Sequence, residues 1–517
     1  MRRGAMLALA LLLGGAAGAR AQEQEALPRD SVPKEWTFIG YSFTRTTASN
    51  ITPSNDILQG QVIGRLFGPN STVTGDSLSF FTEQRFVPYF LYRPKILDGW
   101  ALFRFMGKID YTWGDQAYGV GGNRGGAING GQINLQTLMA NVDIRPSKKL
   151  NFVVGLQRLF DNAYDPNYTT LTQSQTSGYK MMFWGTNAVG INMFSLPKPG
   201  MRLRLGWFPL WSNAISRDDG VNLYMADLDT RLAPKLEVGA DTWYVRDRGK
   251  GGGGISILGQ GLNSALAEYN GAARLRFPSE ASTYTADIVW LGGRAAYNRD
   301  FLAGRWWADA FAIANVGRID TVGTYATAHV ANLLGVAANA SLSYKYGMTA
   351  NDKLSAEALF TTGDGGGTAS GTSNVVVTGN EWGSPVGIYS SHHAFLLFPD
   401  PQVVNRYYSA VQDISNAGNG VTAFMGNASR DVIPNRFSTR VGFATAFANS
   451  IPDGGGSYMG SELNAELKYN FKVFLTGGLS AGYFKLGNYY DAPSVTYDHT
   501  RPRDAWVMFA SLSWLMF

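Results

Sequence analysis

The chain contains no cysteine. That excludes a disulfide framework, a thiolate metal site and a lipoprotein-type acylated cysteine. Histidine is scarce, at four residues. His392 and His393 are adjacent, so in extended backbone they point apart, and no third ligand accompanies them; neither a metal site nor a cofactor is expected. No nucleophile motif lies near His329, His392, His393 or His499, so a hydrolase, or any enzyme, is not the expected reading. Beyond the first twenty residues no apolar run reaches the roughly 20 residues of a membrane-spanning helix. Charge of one sign is also lacking. The formal charge is +5, and setting aside Arg2, Arg3 and Arg20 before the expected cleavage point lowers it to about +2. A globally basic nucleic-acid binder is thereby excluded. Lys250–Gly254 and Gly121–Gly131 are glycine-rich but lack the Gly-Lys-Ser/Thr and strand-to-helix setting of a phosphate loop, so they read as surface loops.

What is abundant is glycine and aromatic side chain: 62 Gly, 29 Phe, 25 Tyr and 13 Trp. Together they suit tight turns, close strand approach and interfacial aromatic girdles. The mean hydropathy of −0.11 fits a chain in which each strand shows lipid a single face. Met1–Ala21 reads as a cleaved signal peptide: Arg2 and Arg3, an apolar Ala5–Gly18, then small residues at Ala19 and Ala21. Residues 22–35 form a short periplasmic lead, and 36–517 a single outer-membrane barrel.

The barrel reading rests on a period of two, in which every second residue is apolar. Met201, Leu203, Leu205 and Trp207 alternate with Arg202, Arg204 and Gly206. Phe103, Phe105, Ile109 and Tyr111 oppose Arg104, Lys108 and Asp110. Leu138, Ala140, Val142 and Ile144 oppose Asn141, Asp143 and Arg145. Ala267–Phe277 sets Arg274 and Arg276 against Tyr269, Ala273, Leu275 and Phe277. In Tyr458–Asn470, Met459, Leu463, Ala465, Leu467 and Tyr469 share one side, with a turn at Asn470–Lys472. In Val507–Phe517 both faces are apolar and the register stays open. Short Pro-, Lys- or Asp-bearing connections (Pro94–Gly99, Pro146–Lys149, Leu196–Gly200, Ala233–Lys235, Pro278–Ser282, Met348–Asp352) alternate with long Gly-, Asn- and Ser-rich ones. The expected fold is all-β: one transmembrane antiparallel barrel of about 18 strands (about 16 to 20), short turns in the periplasm and long loops outside. An even count requires strands in Ile319–Gly347 and Ala417–Arg430, where alternation is faint. Phe395–Pro399, Pro401 and Tyr407–Tyr408 form an apolar island in the longest loop, 363–416. They are expected to fold into the lumen as a constriction; a protein-contact patch or two more wall strands are the alternatives.

The candidate solute pathway is the face opposite the apolar stripe: Arg104, Lys108, Arg145, Arg202, Arg204, Arg231, Arg274, Arg276, Arg436 and Arg440. Guanidinium groups bind carboxylates bidentately and stay charged, and a ring of them favours anions over cations. The competing reading pairs them across strands with Asp110, Asp143, Asp227, Asp229, Glu237, Asp241, Glu268, Glu462 and Glu466 to stiffen the wall.

Several blocks resemble the alginate-export family of outer-membrane barrels. These are Gly460-Ser461-Glu462-Leu463, Lys468-Tyr469-Asn470, Gly482-Tyr483-Phe484, Gly487-Asn488-Tyr489 and Asp504-Ala505-Trp506. Gly155-Leu156-Gln157-Arg158-Leu159 is similar to that family's Gly-Arg-Gln segment, with Leu156 where an Arg is usual. Thr361–Gly365, Pro399, Tyr407 and Asp413 resemble the strand end and long loop before its last strands. The resemblance implies an 18-stranded monomer whose Arg/Lys-lined, loop-gated lumen passes a polyuronate outward. The partners expected are outer-membrane lipid, an anionic polysaccharide or other anionic solute, and periplasmic export proteins. A general or sugar-selective porin, and a barrel whose loops serve adhesion or assembly, are the alternatives.

Overall fold

Alternation of the kind seen in Met201–Trp211 can be satisfied only by a sheet with two unlike sides. In hydrocarbon such a sheet must also close, because no water caps an open edge. The computed structural model shows that closure. It describes residues 34–53, 63–65, 72–113, 135–159, 186–212, 220–250, 284–322, 327–365, 371–376, 394–398, 407–411, 416–496 and 501–516. The wall strands are β1 (Trp36–Pro53), β2 (Thr72–Tyr92), β3 (Ala101–Thr112), β4 (Leu135–Ser147), β5 (Leu150–Leu159), β6 (Thr186–Lys198), β7 (Met201–Trp211), β8 (Val221–Ala233) and β9 (Leu236–Asp247). They continue with β10 (Tyr284–Tyr297), β11 (Trp306–Val322), β12 (Thr327–Lys345), β13 (Lys353–Thr361), β14 (Val421–Ile433), β15 (Phe437–Phe447), β16 (Tyr458–Lys472), β17 (Leu475–Leu486) and β18 (Ala505–Met516). Each wall strand pairs antiparallel with its chain neighbours, and β1 pairs with β18 from Gly40↔Met516 to Ser49↔Val507, so the 18 strands form a closed ring.

Outward residues include Phe103, Val142, Ile144, Leu205, Trp207, Leu334, Phe443 and Leu463, all exposed. Trp36, Trp100, Trp306, Tyr346 and Trp514 mark one rim of this band, and Trp113, Tyr224 and Tyr483 the other. Exposed apolar side chains between two aromatic girdles are the lipid face of a transmembrane barrel of the outer-membrane kind. Among the described residues no helix is long and apolar enough to cross a membrane.

Most of the expected strands stand with their faces as read. The faint stretches resolve into β11, β12 and β14. β18 settles its register: Ala505, Val507 and Phe509 are buried inward, while Met508, Leu512 and Trp514 are exposed. Two expectations need correction. The turn after β16 falls at 473–474, not at Asn470–Lys472, because the ladder runs on to Lys472↔Leu475. Met459 does not share the outer side with Leu463. A register shift beside Gly460 turns it inward to full burial. Gly460 has φ 141°, and a Cβ there would lie 2.4 Å from the Lys485 carbonyl, so only glycine fits this bulge. Ala267–Phe277 and Pro278–Ser282 lie outside the described residues, and β9 pairs directly with β10.

β13 has nine residues and stops at Thr361 opposite Ala337, short of the outer end of β12. Thr372–Ser373 takes that vacated edge in parallel, against Asn332 and Leu333. Unpaired backbone groups are thereby covered where the ladder would otherwise stop.

At the opposite rim Asp352 ties the β12–β13 turn to β14. Its carboxylate accepts the N–H groups of Met348 (3.0 Å), Thr349 (3.1 Å) and Asp431 (3.0 Å). Burial works to raise its pKa, but these backbone N–H groups together hold it below the ordinary 3.8. A lowered carboxyl pKa gives stability that is complete above the unfolded value and lost as pH falls through the folded one. Protection of the Met348, Thr349 and Asp431 amides, taken against the intrinsic exchange rate at each pH, should therefore fall only below about pH 4. Asp352→Ala should show the loss of protection at neutral pH. A protection factor that stays constant from pH 7 to pH 3 in the native protein would refute this role.

Candidate solute pathway in the lumen

The inward face changes character along the barrel axis. Near the short-turn rim it is charged; toward the long loops it is apolar. In the charged part the strand registers bring acids opposite arginines: Arg202↔Asp229 and Arg204↔Asp227 between β7 and β8, and Arg440↔Glu466 between β15 and β16. Arg104 meets Asp143, and both are fully buried. Asp143 also accepts Arg145 at 2.7 Å and Asn151 at 3.0 Å. Asp229 is shared by Arg202 (2.7 Å) and Arg294. Glu237 lies 3.6 Å from both Arg231 and Arg299. Glu466 takes Lys468 at 2.9 Å and Arg440 at 3.6 Å. Farther along the axis, Arg45 donates to Glu83 at 3.0 Å.

The predicted residues therefore divide. Arg104, Lys108, Arg145, Arg202, Arg204, Arg231 and Arg440 lie on the inward face, and the six arginines among them are joined to acids as described. Arg436 does not: it is exposed in the turn between β14 and β15, its guanidinium 5.4 Å above the Tyr469 ring. A residue next to a strand end shares the strand's parity in sequence but not its direction. Arg274, Arg276 and Glu268 lie outside the described residues. Arg45, Arg294 and Arg299 belong to the inward set and were missed. Arg45 sits among Ser and Thr rather than large apolar residues, and Arg299 follows a strand instead of belonging to one. Among the described residues, no three His, Cys, Asp or Glu side chains gather to hold a metal.

The polar face was expected to line the whole lumen, and this too needs correction. In the outer part Phe208, Leu210, Leu223, Met225, Val245, Ile288 and Ile313 point inward and are buried. Trp243 and Trp290 face each other across β9 and β10, both fully buried. The boundary runs through Trp243, whose indole N–H donates to Asp227 at 2.8 Å and whose ring lies 5.7 Å from the Arg204 guanidinium. Stretches apolar on both faces, such as 207–211 and 288–291, carried this signal in the sequence.

What buries these side chains includes the long loop between β13 and β14. Ala394–Phe398 is inserted and buried. Glu462 of β16, fully buried, receives three successive backbone N–H groups, from Phe395 (2.7 Å), Leu396 (2.9 Å) and Leu397 (2.7 Å). Asn464 gives a fourth bond at 2.9 Å. Consecutive N–H groups converging on one carboxylate make a concave anion cradle. Glu462 was thus expected as an arginine partner but serves as a seat for the loop. The Phe395 ring meets Phe509 edge-on at 5.6 Å, and the Arg440 guanidinium lies 5.4 Å from it. Leu396 and Leu397 carbonyls accept the N–H groups of Ala410 and Val411 at 2.7 and 3.0 Å. Tyr407–Ser409 pairs in parallel with Ile63–Arg65 of the β1–β2 loop, so two outer loops are joined. Of the island predicted in this loop, Phe395–Phe398 packs against the inward face of the wall at Glu462, while Pro399 and Pro401 lie outside the described residues.

No family model matches the chain, and no curated protein matches it. Several solved structures superpose on most of the chain. Pseudomonas aeruginosa OpdL is 8% identical, with 93% of this chain and 99% of that chain covered and a TM-score of 0.48. A BenF-like porin from Pseudomonas fluorescens Pf-5 is 10% identical over 93% and 98%, with a TM-score of 0.47. Acinetobacter baumannii OccAB4 is 10% identical over 95% and 99%, with a TM-score of 0.46. With TM-scores under 0.5, these likenesses carry no argument about this chain.

Proposed function

We propose that this chain is a passive outer-membrane channel of the porin type, in which the seated loop segment narrows the lumen above a belt of paired charges. The observation that carries the reading is Glu462 holding Phe395–Leu397 beside Arg440. A wall carboxylate spent on fixing a loop across the lumen is what size selection requires. The belt supports polar solutes, anions ahead of cations, because three carboxylates, Asp143, Asp229 and Glu237, are each shared by two guanidiniums. Outward passage of a polyuronate is the second reading. It is favoured by Arg145, Arg202 and Arg231, whose side chains remain 27%, 28% and 35% exposed while paired. Purified protein in a planar bilayer under a KCl gradient should give discrete current steps and a reversal potential on the anion side. Absence of steps, or preference for cations, would overturn the proposal. Current block by added polyuronate, but not by a neutral glycan of equal length, would select the second reading.

A further inference from the structure

A second site lies on the other side of the wall, away from the lumen. Between the register pairs Ser49↔Ser79 and Ile51↔Thr74, Asn50 of β1 alone faces Gly75, Asp76, Ser77 and Leu78 of β2. Four residues against one is far more than an ordinary bulge, and bulges of this kind re-aim side chains beside functional sites. The bulged segment stands off the sheet and leaves a crevice of about 460 Å³, lined among others by Leu78, Tyr483, Arg503 and Trp506. Tyr483 and Trp506 alternate with the inward, buried Phe484 and Val507. The crevice therefore opens toward the membrane, at the long-loop end of the strands.

Its floor is fixed. The Asn50 side-chain amide donates to the Asp504 carbonyl and its oxygen accepts the Trp506 N–H, both at 2.9 Å. The Asp504 carboxylate is engaged by the Tyr483 hydroxyl (2.8 Å) and the Leu486 N–H (2.9 Å). Its mouth is not fixed. Arg503 reaches Asp76 across the opening, and their side chains are 64% and 82% exposed. An exposed ion pair of this kind is worth little and exchanges partners readily. Indole, phenol and leucine side chains beside a guanidinium, at the level where lipid headgroups begin, suit an amphiphile with an anionic head.

We propose that this crevice seats an acyl chain and headgroup phosphate of one outer-leaflet lipid, the chain along Trp506, Tyr483 and Leu78 and the phosphate on Arg503 in place of Asp76. A membrane lipid is the occupant because the crevice opens on the outward face of the wall, where Tyr483 and Trp506 lie. The pair of side chains at the mouth makes opposite predictions. Detergent-solubilised full-length barrel is incubated with bisphosphorylated lipid A, and retained lipid is read by native mass spectrometry. One lipid per chain is expected. Arg503→Ala should lower its retention about tenfold, Trp506→Ala should lower it too, and Asp76→Asn should raise it. Dephosphorylated lipid A should bind about as weakly to the native protein as the phosphorylated form does to Arg503→Ala. Heat-modifiable gel migration confirms that each variant is a folded barrel. If Arg503→Ala and Asp76→Asn shift retention in the same direction, the pair is only a latch and the proposal fails. It fails equally if removing the phosphates changes nothing.

Discussion

Glu462→Ala is expected to give larger and noisier single-channel currents than the native protein. The substitution removes the acceptor of three successive N–H groups in one step. Hydrogen bonds to a charged group contribute about 1.5–3 kcal/mol each, and a buried donor left unsatisfied costs about 1–3 kcal/mol. Even the loss of one such bond, about 3 kcal/mol, shifts the seated-to-released ratio of Ala394–Phe398 more than a hundredfold. The seated form then ceases to dominate. Glu462→Gln should fall between the two proteins, because its amide keeps one acceptor oxygen but sets an N–H against an N–H. The wall itself should survive, since β16 keeps its ladders to β15 and β17. Conductance and the size limit for neutral polyethylene glycols measure the effect. Native conductance in a folded Glu462→Ala protein would mean that the segment is held by its apolar packing alone.

Reversing Arg202 and Arg204 together to Glu should move the reversal potential strongly toward cations. Each change puts a carboxylate beside Asp229 or Asp227, where a guanidinium now stands. Two unit charges 4 Å apart interact by about 4 kcal/mol at the effective dielectric of a protein surface. Partial screening by water still leaves a change in anion-to-cation permeability on the order of tenfold or more. The double variant should also unfold at lower temperature, because breaking a buried pair such as Arg204–Asp227 costs about 3–5 kcal/mol. The two effects are separable. A lower unfolding temperature with unchanged selectivity would assign both arginines to the wall, not to the pathway.

The wall was legible because its rule is local. A strand with lipid on one side repeats every two residues, and Met201–Trp211 or Leu138–Arg145 need nothing distant to show which side faces out. The inward direction of Arg202 and Arg204 followed from the same rule. Their partners did not, because Asp227 and Asp229 are opposite by register, and register is set by the connection between two strands, not by the alternation within either. The part of the site hardest to read was the seat of the loop. Glu462 looks in sequence like any other inward acid; only the arrival of residues 395–397, more than sixty positions earlier, gives it a different task. The apolar outer lumen was hidden by the assumption that inward means wet. Where loops fill the cylinder, inward side chains have protein to pack against, and Trp243 or Ile288 behaves as in a soluble core.

The seam between β1 and β18 unites the first and last wall strands, ten register pairs joining Gly40–Ser49 to Val507–Met516. Until the final strand has been made, seventeen others possess two raw borders whose backbone polar groups would meet oil unanswered. Insertion is consequently cooperative: a chain that enters the bilayer before its last strand pairs leaves both borders unanswered, and only the closing seam removes that cost.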